Sequence, residues 1–281
     1  MKKMIIATLL ASTSALAGPQ LIAHRGGTAD APENTLPAIG LALENQARAV
    51  WITVQLSRDK VPVLYRPSDL SALTTAQGKI SQYSQAELAT FDAGAKWKEK
   101  IGGTTIPTLQ AVLERWPDVP FYIDIKSPDA NPAEMGKRLL QVLTDTHSLK
   151  RVRVYSTEDR YLDALPAEVP RFVTRSETRT RLANISLSHL CQPPEKQIGD
   201  YWYALELNRK VEVVEKFTLG EGVSPATLTW DKEAMDCFRS QGNAHIIFIG
   251  VKSAQDYQKA VELKADGVMV DSPAEAKKWV K

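Results

Sequence analysis

The stretch that decides the fold is Leu21-Ile22-Ala23-His24-Arg25-Gly26-Gly27, followed by Ala31-Pro32-Glu33-Asn34-Thr35. A short apolar run that ends in a histidine, an arginine and two glycines predicts a buried strand with ionisable side chains at its carboxyl end. The glycines allow the backbone to turn sharply or to approach a ligand closely. Pro32 then leads into a helical pattern over residues 33–46. The stretch alone is equally consistent with a structural turn, in which His24 and Arg25 cap local carbonyl groups.

Strands and helices alternate along the rest of the chain. The predicted strands are 49–56, 61–65, 120–126, 152–155, 171–173, 202–207, 245–249 and 267–271, and the predicted helices are 109–115, 133–144, 232–240 and 254–263. Only four polar residues separate the strands 49–56 and 61–65, so these two runs pair locally or form one bent element. About eight strand–helix units favour an α/β fold of the TIM (β/α)₈ barrel type over an open sheet. No G-x-G-x-x-G motif follows a strand, which disfavours dinucleotide binding.

The amino terminus has the pattern of a secretory signal peptide. Two lysines precede a short apolar run, and Ala15-Leu16-Ala17 forms an A-x-A cleavage site before Gly18. We therefore expect residues 1–17 to be removed and the mature protein to be periplasmic or secreted. The apolar run is too short to span a bilayer, and no later stretch is long and apolar enough to do so.

Charge and cysteine content limit the classes of partner. The net charge of +2 comes from 35 basic and 33 acidic residues, and no long basic run is present, so a nucleic-acid partner is not expected. Cys191 and Cys237 are the two cysteines. In an oxidising compartment they can form one disulfide, and the alternative is two buried free thiols. Neither has a histidine at ligand spacing, which argues against a structural zinc site.

Two motifs, HRG at residues 24–26 and PENT at residues 32–35, resemble the opening of the glycerophosphodiester phosphodiesterase family. Residues 66–105 resemble the insertion of that family, and residues 265–273 resemble its final strand. The resemblance implies one TIM-barrel domain over residues 18–281 with the insertion at about 66–105. It also implies that His24 is one of two catalytic histidines and that Arg25 and Glu33 lie in the same site.

Other parts of the family's catalytic set are missing. The resemblance implies a carboxylate pair on the second strand, where this chain has Trp51 and Thr53, and a second histidine where it has Arg66. A third carboxylate is retained as Asp124, with Lys126 two residues later. Calcium and magnesium need several oxygen ligands, so we expect no metal ligands here and no metal cofactor. The remaining histidines, at positions 147, 189 and 245, are expected to have surface or structural roles.

These substitutions are consistent with two main hypotheses of function. In the first, His24, Arg25, Arg66, Asp124 and Lys126 converge at the mouth of the barrel, where a cationic pocket binds a small phosphodiester or another anion without metal-dependent hydrolysis. In the second, the protein is a phosphodiesterase with a rearranged, metal-independent site. A protein-interaction role is a third hypothesis. For Arg66, the alternative is a side chain that points to solvent and packs its stem on the insertion.

Overall fold

A computed structural model of the protein describes residues 18–196 and 198–280. The predicted signal peptide, residues 1–17, lies outside the described residues, so export stays a prediction. The strands are β1 (Gln20–His24), β2 (Ala49–Leu56), β3 (Pro62–Leu64), β4 (Phe121–Ile125), β5 (Val152–Ser156), β6 (Asp200–Glu206), β7 (Asn208–Phe217), β8 (Gly220–Thr229), β9 (Asn243–Ile249) and β10 (Gly267–Val270). The helices are α1 (Leu36–Glu44), α2 (Gln85–Leu88), α3 (Leu109–Arg115), α4 (Pro132–Asp145), α5 (Asp159–Asp163), α6 (Arg175–Ser188), α7 (Lys232–Arg239), α8 (Ala254–Glu262) and α9 (Pro273–Ala276).

Seven parallel strands curl into a barrel in the order β5-β4-β2-β1-β10-β9-β6. The predicted strand at 171–173 is shorter than a full strand, but it bridges the gap between the two edge strands. Phe172 N donates to Val154 O of β5, and Val173 N donates to Trp202 O of β6, each at 2.9 Å. The predicted TIM barrel is thereby confirmed. β3 pairs antiparallel with β2, as expected for local pairing across a four-residue turn.

Buried side chains fill both faces of the sheet, as expected for parallel strands with helices outside and side chains inside. All eight residues of β2 are buried. Inside the barrel, an aromatic cluster of Trp51, Tyr122, Tyr155 and Phe172 closes the space beneath the carboxyl ends of the strands. The floor of any cavity at that end is therefore made of aromatic rings.

The insertion at 66–105 has its own small core. Two 3₁₀ turns and α2 pack Leu70, Ile80 and Leu88 against Tyr65, all of them nearly inaccessible to solvent. The insertion is thus a packed cover at the carboxyl end of β3. Within the described residues, no helix is long and apolar enough to cross a membrane.

The short helices α2, α5 and α9 were not predicted, and three larger features were missed or left open. Neither α6 nor the hairpin of β7 and β8 has a clear sequence pattern. Cys191 and Cys237 form a disulfide with a Cα–Cα distance of 5.7 Å, which joins the segment after α6 to α7. Of the two alternatives, a disulfide or two free thiols, the structure has the disulfide.

Candidate functional site

The turn after β1 places His24 and Arg25 at the carboxyl end of the barrel. Gly26 has φ +83°, and a Cβ there would lie 3.1 Å from Ala38 Cβ and Ile39 N, so the close approach of α1 requires glycine. Arg25 itself has φ +51°, an uncommon value for a residue with a side chain. This turn directs two adjacent ionisable side chains to the same end of the barrel.

Two hydrogen bonds fix the imidazole of His24. Its Nδ1 lies 2.6 Å from Asp271 Oδ1, and its Nε2 accepts a hydrogen bond from Arg25 Nε at 3.0 Å. Because an accepting Nε2 carries no proton, the neutral ring has its proton on Nδ1, where it is donated to Asp271. Hydrogen bonds from His24 and Thr28 hold the pKa of Asp271 below its usual range, although partial burial opposes this.

The PENT motif supports the same corner of the site. Glu33 Oε2 pairs with Arg25 Nη1 through a short contact, and both side chains are largely buried. Asn34 donates from Nδ2 to Thr53 Oγ1 at 2.7 Å and accepts from Thr53 N at 3.0 Å, which joins the β1 turn to β2. Glu33 therefore lies behind Arg25 and orients it.

The edge formed by β2 and β4 has different chemistry. Trp51, only 2% exposed, makes ring contacts with Tyr122, Tyr155 and Phe172 at centroid distances of 4.9 to 6.1 Å. Thr53 lies opposite Asp124 in the strand register, and its hydroxyl is bonded to Asn34. The two positions at which the resemblance implies carboxylates thus hold a core aromatic ring and a hydroxyl group with a partner.

Asp124 is buried and pairs with Lys126. Lys126 Nζ lies 3.1 Å from Asp124 Oδ1 and donates to Thr157 Oγ1 at 2.9 Å. Burial raises the pKa of Asp124 above its usual range, and the charge of Lys126 opposes this only in part. The predicted pairing of Asp124 with a nearby cation is seen here with Lys126.

A third group of side chains lines the opposite wall. Arg175 Nη2 donates to both carboxylate oxygens of Glu206, at 2.6 and 2.8 Å, and Nη1 donates to Tyr155 Oη at 3.0 Å. Burial raises the pKa of Glu206, but the hydrogen bonds and charge of Arg175 outweigh it, so the pKa falls below its usual range. Burial raises the pKa of Tyr155 to about 12, so the phenol keeps its proton at neutral pH.

These groups enclose a cavity of about 260 Å³ at the carboxyl ends of the strands, which we call the mouth. Besides His24, four arginine and lysine side chains and two carboxylates line it, so the arginines and lysines exceed the carboxylates by two. The lining residues are His24, Arg25, Trp51, Thr53, Arg66, Asp124, Lys126, Tyr155, Thr157, Arg175, Glu206, Ile249 and Met269.

Of the six predicted site residues, five line the mouth, and Glu33 is held next to it through Arg25. Arg66 is exposed and, within the described residues, forms no ion pair, whereas Arg25, Lys126 and Arg175 each face a carboxylate. Arg66 is therefore the basic group of the mouth most available to an incoming anion.

Sequence reasoning missed Arg175, Glu206 and Asp271. Glu206 and Asp271 each lie at the carboxyl end of a predicted strand, and that position is the signal that could have identified them. Arg175 is the first residue of α6, the helix that was not predicted. The other histidines lie elsewhere: His245 stacks on Trp202 at 4.2 Å, and His189 is exposed beside Glu233.

The mouth does not match the donor set of a divalent cation. Such an ion needs several oxygen ligands, and Asp124 already faces the ammonium group of Lys126. The indole of Trp51 fills the space next to it. Among residues 18–196 and 198–280, no group of three histidine, cysteine or acidic side chains could hold a metal ion. These side chains do not fit the metal that the resemblance implies.

The sequence profile of the Glycerophosphoryl diester phosphodiesterase family matches residues 24–275. The chain belongs to this family. A Mycobacterium tuberculosis protein, Rv2277c, is 39% identical to this family member over 275 residues, which cover 93% of this chain and 89% of that protein.

Solved structures of the glycerophosphoryl diester phosphodiesterase family agree with the fold. The crystal structure of the glycerophosphoryl diester phosphodiesterase domain of Rv2277c superposes with a TM-score of 0.84 at 37% identity, covering 93% of this chain and 99% of that one. An Oleispira antarctica phosphodiesterase in complex with the product sn-glycerol-3-phosphate superposes with a TM-score of 0.66, covering 93% and 96% of the two chains. Because its identity is 21%, this second likeness shows the fold alone.

Proposed function

We propose that this family member is exported, binds a small phosphodiester or another phosphorylated anion at the mouth, and does not hydrolyse it by the metal-dependent route of the family. The proposal rests mainly on Arg66, an exposed residue of the mouth. It replaces the second histidine with a permanent positive charge that has no carboxylate partner among the described residues.

The surrounding groups favour an anion of phosphate size. Arg25, Lys126 and Arg175 line the same cavity, and their charge-assisted hydrogen bonds suit phosphate oxygens. The Oleispira antarctica phosphodiesterase holds sn-glycerol-3-phosphate, and a ligand of that class is our proposal for this chain. Export is supported by residues 1–17 and by the Cys191–Cys237 bond, since disulfides persist in oxidising compartments.

Calorimetric titration of the mature protein with sn-glycerol-3-phosphate in EDTA tests this proposal. We expect binding that weakens about tenfold in Arg66→Gln, because a charge-assisted contact of about 1.4 kcal/mol is lost. The matched control is Arg48→Gln, an exposed arginine just before β2 at the other end of the barrel. Equal affinity in wild type and Arg66→Gln, or no binding at millimolar ligand, would contradict the proposal.

The metal is tested on protein dialysed free of EDTA. We expect calcium and magnesium to leave the melting temperature unchanged, because an ion that binds the native state would raise it by mass action. A clear stabilisation by millimolar calcium would show that Asp124 and its neighbours bind the ion after all.

The hydrogen bond between His24 and Asp271 favours a second candidate, a metal-independent phosphodiesterase. It holds the imidazole with its basic Nε2 toward Arg25, an arrangement in which a carboxylate orients a general base. However, the position of the missing histidine holds Arg66, which does not release a proton, so no acid is supplied from that position. Turnover of glycerophosphocholine in EDTA that is lost in His24→Ala would establish this candidate and overturn the first.

A further inference from the structure

The hairpin of β7 and β8 extends from the rim of the mouth. It begins two residues after Glu206, a mouth residue, and Arg209 at its base bonds to Glu206 at 3.2 Å. Its inner half is anchored, since Leu228 is 1% exposed and Val211 packs against the core. Beyond Val213, the outer half continues for roughly 15 Å at the usual rise of a strand.

The outer half carries exposed apolar side chains on both of its faces and at its turn. Among the described residues, eight large hydrophobic side chains are exposed, and four of them lie here: Val214, Phe217, Leu219 and Val223. Leu219 is 100% exposed at a two-residue turn between the paired residues Phe217 and Gly220. Such turns favour glycine, asparagine or aspartate, so the backbone gives no reason for leucine at the tip. Scattered exposed hydrophobic residues need no explanation, but a cluster at a protruding tip indicates a contact surface.

A basic segment with one tryptophan lies in the insertion, which leaves the same end of the barrel immediately after Arg66. Residues 96–100 contain Lys96, Trp97, Lys98 and Lys100 with one glutamate. Lys98 and Lys100 are exposed and form no ion pair in the described chain, and Lys98 Nζ lies 5.8 Å from the Trp97 ring centroid. Tryptophan and lysine side chains are both typical of membrane interfaces.

We propose that the mouth face docks on an anionic phospholipid bilayer, with the hairpin tip inserted among the lipids and the lysine segment on the headgroups. Charge complementarity favours lipid over a protein partner. The exposed lysines complement an anionic surface, whereas the outer hairpin carries a net charge of only −1, since Lys216 faces Glu221 across the strand pair and Glu215 faces Gly222. Docked in this way, the mouth faces the headgroup layer. This proposal goes beyond anion binding and does not depend on it.

Vesicle flotation of the full mature chain tests the docking. We expect wild type to bind vesicles of phosphatidylcholine with phosphatidylglycerol, and to bind pure phosphatidylcholine more weakly. The double variant Phe217→Ser/Leu219→Ser should lower the partition coefficient about tenfold, since two buried apolar groups are lost. Lys98→Glu/Lys100→Glu should lower binding to anionic vesicles about tenfold and remove the preference for them.

Matched controls come from the opposite end of the barrel. Leu187→Ser/Leu190→Ser changes two leucines that are 51% and 49% exposed near the end of α6, and Lys150→Glu/Lys264→Glu changes two exposed lysines just before β5 and β10. Both controls should bind vesicles as wild type does. Titration with sn-glycerol-3-phosphate should give the same affinity in the hairpin variant, which separates the docking from the proposed function.

Three results would overturn the docking. The first is no flotation of wild type with anionic vesicles, and the second is wild-type flotation by the hairpin variant. The third is a second copy of the chain as the occupant. In that case, sedimentation would show a dimer that Phe217→Ser/Leu219→Ser converts to a monomer, and wild type would not float with vesicles.

Discussion

Two parts of the mouth differ in their chemistry: the corner that follows β1, and the edge formed by β2 and β4. At the corner, the polar side chains have hydrogen-bond or ion-pair partners, whereas the edge combines an aromatic core with a poorly solvated carboxylate. At the corner, His24 bonds to Asp271, Arg25 to Glu33, and Asn34 to Thr53. At the edge, Trp51 packs among rings, and the buried Asp124 has its pKa raised.

The difference shows which part of a family site can change separately. The corner retains the HRG and PENT motifs together with the contacts that orient them. The edge lacks the two carboxylates that the resemblance implies on β2 and keeps only Asp124 on β4, while Trp51 on β2 packs with Tyr155 and Phe172. A barrel tolerates this because the fold depends on strand packing, while the chemistry depends on a few side chains at the strand ends.

The largest effect is expected from restoring a carboxylate at the edge. Trp51→Glu removes a buried ring with three aromatic contacts and buries a charge, so we expect a loss of about 3–5 kcal/mol in the free energy of unfolding. Urea denaturation measures it. Trp97→Glu, a partly exposed tryptophan in the insertion, is the matched control and should cost much less. A Trp51→Glu variant as stable as wild type would remove the distinction between edge and corner.

An intermediate effect is expected where corner and edge meet. Asn34→Ala removes both hydrogen bonds to Thr53 and leaves Thr53 N–H buried, so we expect a loss of about 1–3 kcal/mol in the free energy of unfolding. Thr53→Val should cost less. A double-mutant cycle of the two should show coupling of about 1 kcal/mol.

The control for this cycle is Thr90→Val, whose hydroxyl makes an exposed hydrogen bond to Glu87 O. It should change stability little. Strict additivity of Asn34→Ala and Thr53→Val would mean that the bond from Asn34 Nδ2 to Thr53 Oγ1 does not join the corner to β2.

The sequence predicts the corner better than the rest of the site because its residues are close together in the chain. His24, Arg25, Glu33 and Asn34 lie within eleven residues. Asp271 is 247 residues away from His24, and only the closure of the barrel, where β1 pairs with β10, brings them together. The strands of the barrel were predicted well for a similar reason, since each is a local run of apolar residues.

The local sequence pattern fails to predict an element where the fold buries polar residues. Helix α6 buries Thr178 and Arg181 beside Leu182 and Ile185, so it lacks a continuous apolar stripe. Arg181 finds its partners only in the fold, where Nη1 donates to Tyr203 Oη at 2.7 Å and the guanidinium lies 4.3 Å from the Phe238 ring centroid. Missing this helix also meant missing Arg175 at its start. The hairpin was missed because much of it is exposed and has no core pattern.

The smallest effect is expected from two aspartates whose pKa values move in opposite directions. At the corner, the pKa of Asp271 is lowered, so the unfolded state binds more protons at acid pH. Its stabilisation is present above about pH 4 and is lost as the pH falls through the native pKa. At the edge, the pKa of Asp124 is raised, so the native state keeps the proton longer, and its contribution declines as the pH rises above about 4.

Asp271→Asn and Asp124→Asn should therefore change the pH dependence of unfolding with opposite sign. Relative to wild type, Asp271→Asn should be less stable near neutral pH, by less than about 1 kcal/mol because the carboxylate is half exposed, and the deficit should shrink on acidification. Relative to wild type, Asp124→Asn should gain stability as the pH rises from about 3 to about 7, because an amide avoids ionisation in a buried site. Urea denaturation across this range measures both slopes. Slopes of the same sign would mean that the two aspartates share one environment, and the contrast between corner and edge would then rest on Trp51 alone.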